Sequence, residues 1–147
     1  MATAELVDPD QPIRPAAPPA VGPEMLLEQG FDDDSLYRVR AAVAAQVATL
    51  ADRRTVDTMV LIAHELASNA VRHGGGTGRV RLWTADGALH CEVSDGGVGL
   101  KAPSLAGQSR PAPSLSGGRG LWIARQFAGL RITASPAGTT ITATLPL

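Results

Sequence analysis

Aromatic side chains are scarce in this 147-residue chain: two Trp, one Tyr and two Phe. A core must therefore be assembled from Leu, Val, Ile and Ala, and a hydrophobic share of 44% is enough for one. At this length about two-thirds of the unfolded surface can be buried without help from disulfides or metals. A single cysteine, Cys91, excludes a disulfide within the chain and suits a reducing compartment. No apolar run approaches the ~20 residues that a membrane helix needs. The opening stretch, MATAELVDPDQPIRP, has neither the basic head nor the apolar run of a secretory signal. These absences predict a soluble, cytoplasmic, single-domain protein.

Lysine is nearly missing, with Lys101 alone against twelve arginines. Acidic residues are missing from the whole of 96–147. Residues 1–95 hold all fourteen acids against eight arginines, a net of −6, whereas 96–147 carry Lys101, Arg110, Arg119, Arg125 and Arg131, a net of +5. Such a split fits an anionic ligand on the later half, or a solvated basic face.

Six of the eleven prolines fall before residue 24, in a stretch without hydrophobic period. Residues 1–24 are expected to be a disordered tail, with the domain spanning 25–147. A short strand is predicted at 25–29. Asp32, Asp33, Asp34 and Ser35 then offer helix-start chemistry for a helix to about residue 50, with Leu36, Val39, Val43 and Val47 on one stripe. Asp52 is placed to cap a second helix over 53–73, which Gly74-Gly75-Gly76 would end. Residues 79–84 and 89–94 alternate as strands around a turn at Asp86-Gly87. The Pro/Ser/Gly/Ala stretch 101–118 is too long for a plain connector and reads as a lid. A third helix over 120–128 and a hairpin, 130–134 with 139–145, complete the chain. The order predicts an α+β fold: a two-layer α/β sandwich with a mixed, mostly antiparallel sheet and its helices on one face.

Four places along this framework have residues suited to chemistry. In the second helix Val56, Met59, Val60, Ala63, Leu66, Ala67 and Ala70 form the expected core stripe, while Glu65, Asn69 and His73 recur every four residues on another side. A carboxylate one turn from an amide can pair a general base with an oxygen ligand for a hard cation; it can also be an ordinary solvated face. In the second strand of the 79–94 hairpin, Leu89, Cys91, Val93 and Asp95 share one side, so Asp95 emerges from the core face. A buried Asp needs a partner, and the following Gly96-Gly97-Val98-Gly99 lets backbone approach a ligand closely or simply makes a turn. Ser116-Gly117-Gly118-Arg119-Gly120 enters the third helix, where exposed N–H groups favour an anion, or where the loop is merely flexible. Thr139 alternates onto the side of Ile141, Ala143 and Leu145.

Taken in order, these four pieces resemble the boxes of the GHKL nucleotide-binding superfamily, the Bergerat fold of gyrase, Hsp90, histidine kinases and MutL. Glu65-Leu-Ala-Ser-Asn69-Ala-Val-Arg-His73 is similar to the N box, and Asp95-Gly-Gly97-Val-Gly99 to the D-x-G-x-G box. Gly118-Arg119-Gly120-Leu121 is similar to the box after the lid, and Gly138-Thr139 to the last. The resemblance covers about residues 25–147. Its wording, E-L-A-S-N-A-V-R-H-G with G-G-R-G-L-W, most resembles the small anti-sigma-factor serine kinases of the RsbW type, abundant in actinobacteria. His64-Glu65-Leu66 superficially imitates a histidine-kinase phosphoacceptor, but no Arg-x-Pro-Leu follows and the N box needs the same residues.

The resemblance implies ATP and Mg²⁺ as ligands. It implies Asn69 as the Mg²⁺ ligand, Glu65 as general base, and Asp95 as acceptor from the adenine amino group, with Gly97 and Gly99 lining the base. Thr139 would support Asp95 or the adenine. Gly118 and Gly120 would offer N–H groups to the phosphates, with Arg119 and Leu121 in the same box. His73 is read as a helix-end residue. The implied activity is an ATP-dependent protein serine/threonine kinase that binds a sigma factor and phosphorylates a STAS-type antagonist, with room for a homodimer and with no nucleic acid or membrane partner. The alternatives are a non-catalytic ATP-binding regulator and a stand-alone histidine-kinase-like catalytic domain.

Overall fold

The computed structural model describes residues 24–96 and 119–147. The expected lid, the expected tail up to residue 23, and Gly97, Gly99 and Gly118 lie outside the described residues, whereas Glu24, assigned to the tail, opens the first strand. The elements run β1 (Glu24–Asp32), a 3₁₀ turn (Asp33–Ser35), α1 (Leu36–Ala48), α2 (Arg53–His73), β2 (Thr77–Ala85), β3 (Ala88–Asp95), α3 (Arg119–Phe127), β4 (Gly129–Ser135) and β5 (Gly138–Pro146). The strands form one sheet in the order β1-β2-β3-β5-β4. Its pairings among the described residues are all antiparallel, where a mixed, mostly antiparallel sheet was expected.

Local chemistry accounts for the element ends. Ser35 donates through Oγ to the Asp32 carboxylate at 2.9 Å and accepts from the Asp32 N–H at 2.8 Å, closing the entry to α1. Asp52 caps α2, its carboxylate accepting from the Thr55 N–H at 2.9 Å, and this bond holds the Asp52 carboxyl below its ordinary range. The β2–β3 hairpin turns on Asp86 and Gly87 with φ of 53° and 72°, the left-handed pair that a two-residue turn needs to follow strand twist.

The sheet buries one face beneath the helices. Val80 and Leu82 of β2, Leu89, Cys91 and Val93 of β3, and Ile141 and Ala143 of β5 share one buried core with Val39, Val43 and Val47 of α1. Met59, Ile62, Ala63, Leu66, Ala67 and Ala70 of α2 and Leu121 and Ala124 of α3 close the layer. The other face is polar, with Trp83 stacked on His90 at 5.3 Å and His90 Nδ1 lying 3.0 Å from Thr144 Oγ1. No helix among the described residues is long and apolar enough to cross a membrane.

Two details differ from expectation. The first strand runs to Asp32 rather than stopping at Gln29, because Phe31 packs into the core over Gly78, where a Cβ would stand 2.5 Å from Phe31 Cζ. In α2, Val56 and Val60 are only partly buried, while Ile62, Ser68 and Asn69 are buried. That helix packs against the sheet, α1 and α3 at once, so its buried arc is wider than one stripe.

Burial pushes the Cys91 thiol up to about 12, with the neighbouring Glu92 charge adding to the effect. The thiol therefore stays protonated at pH 8, and it is shut away from solvent. The native chain should resist maleimide labelling at pH 8 and take one label when denaturant is added. Rapid labelling of native chain would show that β3 opens to solvent.

Candidate functional site

The site candidates that the structure describes gather where the C-terminal half of α2 meets the end of β3, the start of β5 and the first turn of α3. Glu65, Asn69 and His73 do lie along one side of α2, but their surroundings differ. Asn69 is 6% exposed, His73 is exposed at the helix end, and Glu65 is half-buried. The polar side of this helix is therefore covered at its centre.

Glu65 reaches the third helix. A Cβ placed on Gly120 would stand 2.7 Å from Glu65 Oε2 and 3.5 Å from Glu65 Cβ. The Glu65 carboxylate therefore stands at the N-terminal end of α3, where the helix dipole is positive. Arg119 and Gly120 begin α3, one residue before the expected start at Gly120. Leu121 is buried in the core, so its side chain packs the helix down and only its backbone is left to face a ligand.

Asp95 ends β3 directly opposite Thr139 of β5, and the Thr139 side chain is 3% exposed. The Asp95 carboxyl group lies against Gly74, the residue that terminates α2, and its backbone carbonyl lies against Gly138. Sequence reading assigned Gly74 only to stopping the helix; its place beside Asp95, twenty-one positions further on, is a fact of packing. The two carboxylates thus stand near opposite ends of the stretch of α2 from Glu65 to Gly74, about 13 Å apart along the axis at 1.5 Å per residue. Asn69 lies between them.

His64 is not part of this arrangement. The Arg40 guanidinium donates to its Nδ1 at 3.2 Å, which leaves the proton on Nε2, 3.4 Å from Ser68 Oγ. Both ring nitrogens are engaged toward α1 and within α2. Two cavities also lie elsewhere: one of about 440 Å³ at the far end of the sheet, lined by Glu24, Leu50, Asp86, Gly87 and Leu147 among others, and one of about 490 Å³ on the polar sheet face beside Trp83 and His90.

Among the described residues no three His, Cys, Asp or Glu side chains cluster closely enough to hold a metal ion by themselves. The donors that are present, a buried amide and a nearby carboxylate, suit the way Mg²⁺ is commonly bound, through one or two side chains with substrate phosphates and water completing its shell.

The profile of the histidine kinase-like ATPase domain matches residues 31–145. The chain belongs to that family. In this GHKL fold the similar solved structures include the blue-light-activated histidine kinase of Erythrobacter litoralis EL346, with 18% identity, a TM-score of 0.55, and coverage of 76% of this chain and 45% of that one. The histidine kinase domain of the same Erythrobacter protein matches at 21% identity with a TM-score of 0.51, covering 78% of this chain and 60% of that one. The match thus covers less than half of that light-activated kinase chain, and the likeness is one of fold. No curated protein matches the sequence closely enough to count as a relative.

Proposed function

We propose that this chain binds Mg-ATP where α2, β3, β5 and α3 meet, and transfers the γ-phosphoryl group to a hydroxyl of a protein partner. The observation that carries the reading is the pair of carboxylates set along α2, Glu65 against the start of α3 and Asp95 against its C-terminal glycine, with buried Asn69 between them. A nucleotide has two chemically different ends, and this arrangement has a different group for each. Asp95, supported by Thr139, accepts a hydrogen bond from the adenine amino group; the resemblance gives Gly97 and Gly99, which lie outside the described residues, the role of lining the base. Gly120 presents its N–H to the phosphates, a role the resemblance also gives to Gly118, Arg119 adds charge, and the net +5 of residues 96–147 suits a triphosphate.

Asn69 would hold Mg²⁺ together with the phosphates, and the ion would supply neutralisation of the charge that develops on them. Glu65 takes the proton of the attacking hydroxyl as its oxygen bonds to the γ-phosphorus, while the bond to the β-phosphate oxygen breaks and ADP leaves. Phosphoryl transfer of this kind depends mainly on positioning and charge stabilisation, which rigidly placed side chains supply.

The partner reading follows the wording of the boxes: an RsbW-type anti-sigma kinase that holds a sigma factor and phosphorylates a STAS-domain antagonist on serine or threonine. The test is recovery of bound proteins from the native host with the intact chain as bait, then incubation of each with γ-labelled ATP. The expected result is a sigma factor and a STAS protein, the latter gaining an acid-stable phosphoester. An acid-labile phosphoramidate would support the histidine-kinase-like alternative instead. Binding of ATP and partner without any transfer would leave a non-catalytic switch.

A further inference from the structure

Glycines in this fold serve two different purposes. Gly76 and Gly87 have φ of +88° and +72° with nothing near a would-be Cβ, so they are glycine for backbone conformation. Gly74 is the reverse case. Its φ of −109° and ψ of 20° are open to any residue, yet it is buried, and a Cβ there would collide with Asp95 Cγ. The same Cβ would stand 2.5 Å from Asp95 Oδ2 and 2.5 Å from the Ala70 carbonyl oxygen. Gly138 guards the other side of the same residue, since a Cβ on it would overlap the Asp95 carbonyl oxygen and lie 3.0 Å from Gly96 Cα. Asp95 is thus held between two glycines, one beside its carboxylate and one beside its backbone.

We infer that Gly74 is a positioning residue for nucleobase recognition: by lacking a side chain it lets the Asp95 carboxylate stand where it discriminates an adenine amino group from an oxo group. The inference rests on the proposed role of Asp95 as the adenine acceptor. Carbon contacts settle at about 3.5–4.0 Å, so alanine at 74 must displace the carboxylate, or the end of α2, by on the order of 1 Å. Useful N–H···O hydrogen bonds occupy a window of only about 2.7–3.2 Å, so a displacement of that size breaks the recognition. Phosphate contacts at α3 lie about 13 Å away along α2 and are untouched.

The test compares affinity for ATP with that for inosine triphosphate, which carries an oxo group in place of the amino group, in the intact chain and in Gly74→Ala. Wild type is expected to prefer ATP by ~10–100-fold, the worth of one hydrogen bond to a charged acceptor. Gly74→Ala should bring the ratio close to one while inosine triphosphate still binds. A wild-type ratio near one would overturn the role of Asp95 itself. A large wild-type ratio that Gly74→Ala preserves would overturn this inference and leave Asp95 standing; a merely structural glycine would weaken both nucleotides alike. Should Gly74→Ala not fold, the double variant Gly74→Ala/Asp95→Ala decides. Recovery of a cooperative thermal transition supports a collision with the carboxylate. Continued failure to fold places the collision at the Ala70 carbonyl and overturns the inference.

Discussion

Glu65→Gln should bind Mg-ATP as wild type does and transfer its phosphate about 10²–10⁴-fold more slowly, the range that a positioned general base contributes. The substitution keeps the length and planarity of the side chain, so the packing of residue 65 against Gly120 is preserved. It removes the one property the reaction needs, the capacity to take a proton from the attacking hydroxyl. Asn69→Ala should do the reverse at the first step: Mg-ATP binding weakens, because a hard cation loses a fixed oxygen ligand, and transfer falls with it. The two positions lie one helical turn apart, so a general disturbance of α2 would affect both in the same way, whereas separate roles divide them. Calorimetry gives the affinities, and γ-labelled ATP with the STAS-type substrate gives the rates. Equal transfer by wild type and Glu65→Gln would remove Glu65 from the base role.

Asp95→Asn should lower ATP affinity roughly ten- to a hundred-fold, from loss of one hydrogen bond to a charged acceptor, about 1.5–3 kcal/mol. The change is nearly isosteric, which matters here because Gly74 and Gly138 leave Asp95 little room for anything larger. An amide can also turn its NH₂ toward the adenine amino group, placing donor against donor. Thr139, almost fully buried opposite Asp95, stays in place in this variant, so the loss can be assigned to the carboxylate. Unchanged affinity in calorimetry would place the adenine elsewhere.

Much of this arrangement was legible in the residues because the signals were local. Asp52 before the second helix and the glycines after it marked α2 over Arg53–His73, and Asp86-Gly87 marked the hairpin. Period-two alternation put Asp95 and Thr139 on the core side of their strands, and the register makes them direct neighbours. What periodicity could not show was how much of α2 other elements would cover. A polar stripe of Glu65, Asn69 and His73 looks the same in sequence whether it meets water or protein. The structure buries Asn69, exposes His73 and sets Glu65 against α3, because α1 and α3 pack on flanks that a single-helix analysis treats as open. Glycines were harder still. Gly78 beneath Phe31 and Gly74 beside Asp95 are defined by residues distant in sequence, and no local pattern encodes a missing Cβ that a remote side chain fills. Roles for Gly97, Gly99 and Gly118 rest on the resemblance, since those positions lie outside the described residues.

The most direct test of the account is to locate the nucleotide on the fold by amide chemical-shift mapping of the intact, isotope-labelled chain titrated with Mg-ATP. The account predicts saturable shifts concentrated at Glu65–Gly74, Asp95–Gly96, Arg119–Ala124 and Gly138–Thr140, with Trp83, His90 and Thr144 on the polar sheet face unmoved. Shifts centred on that face, or on the far-end cavity around Leu50, Asp86 and Leu147, would contradict it, as would a titration that moves nothing.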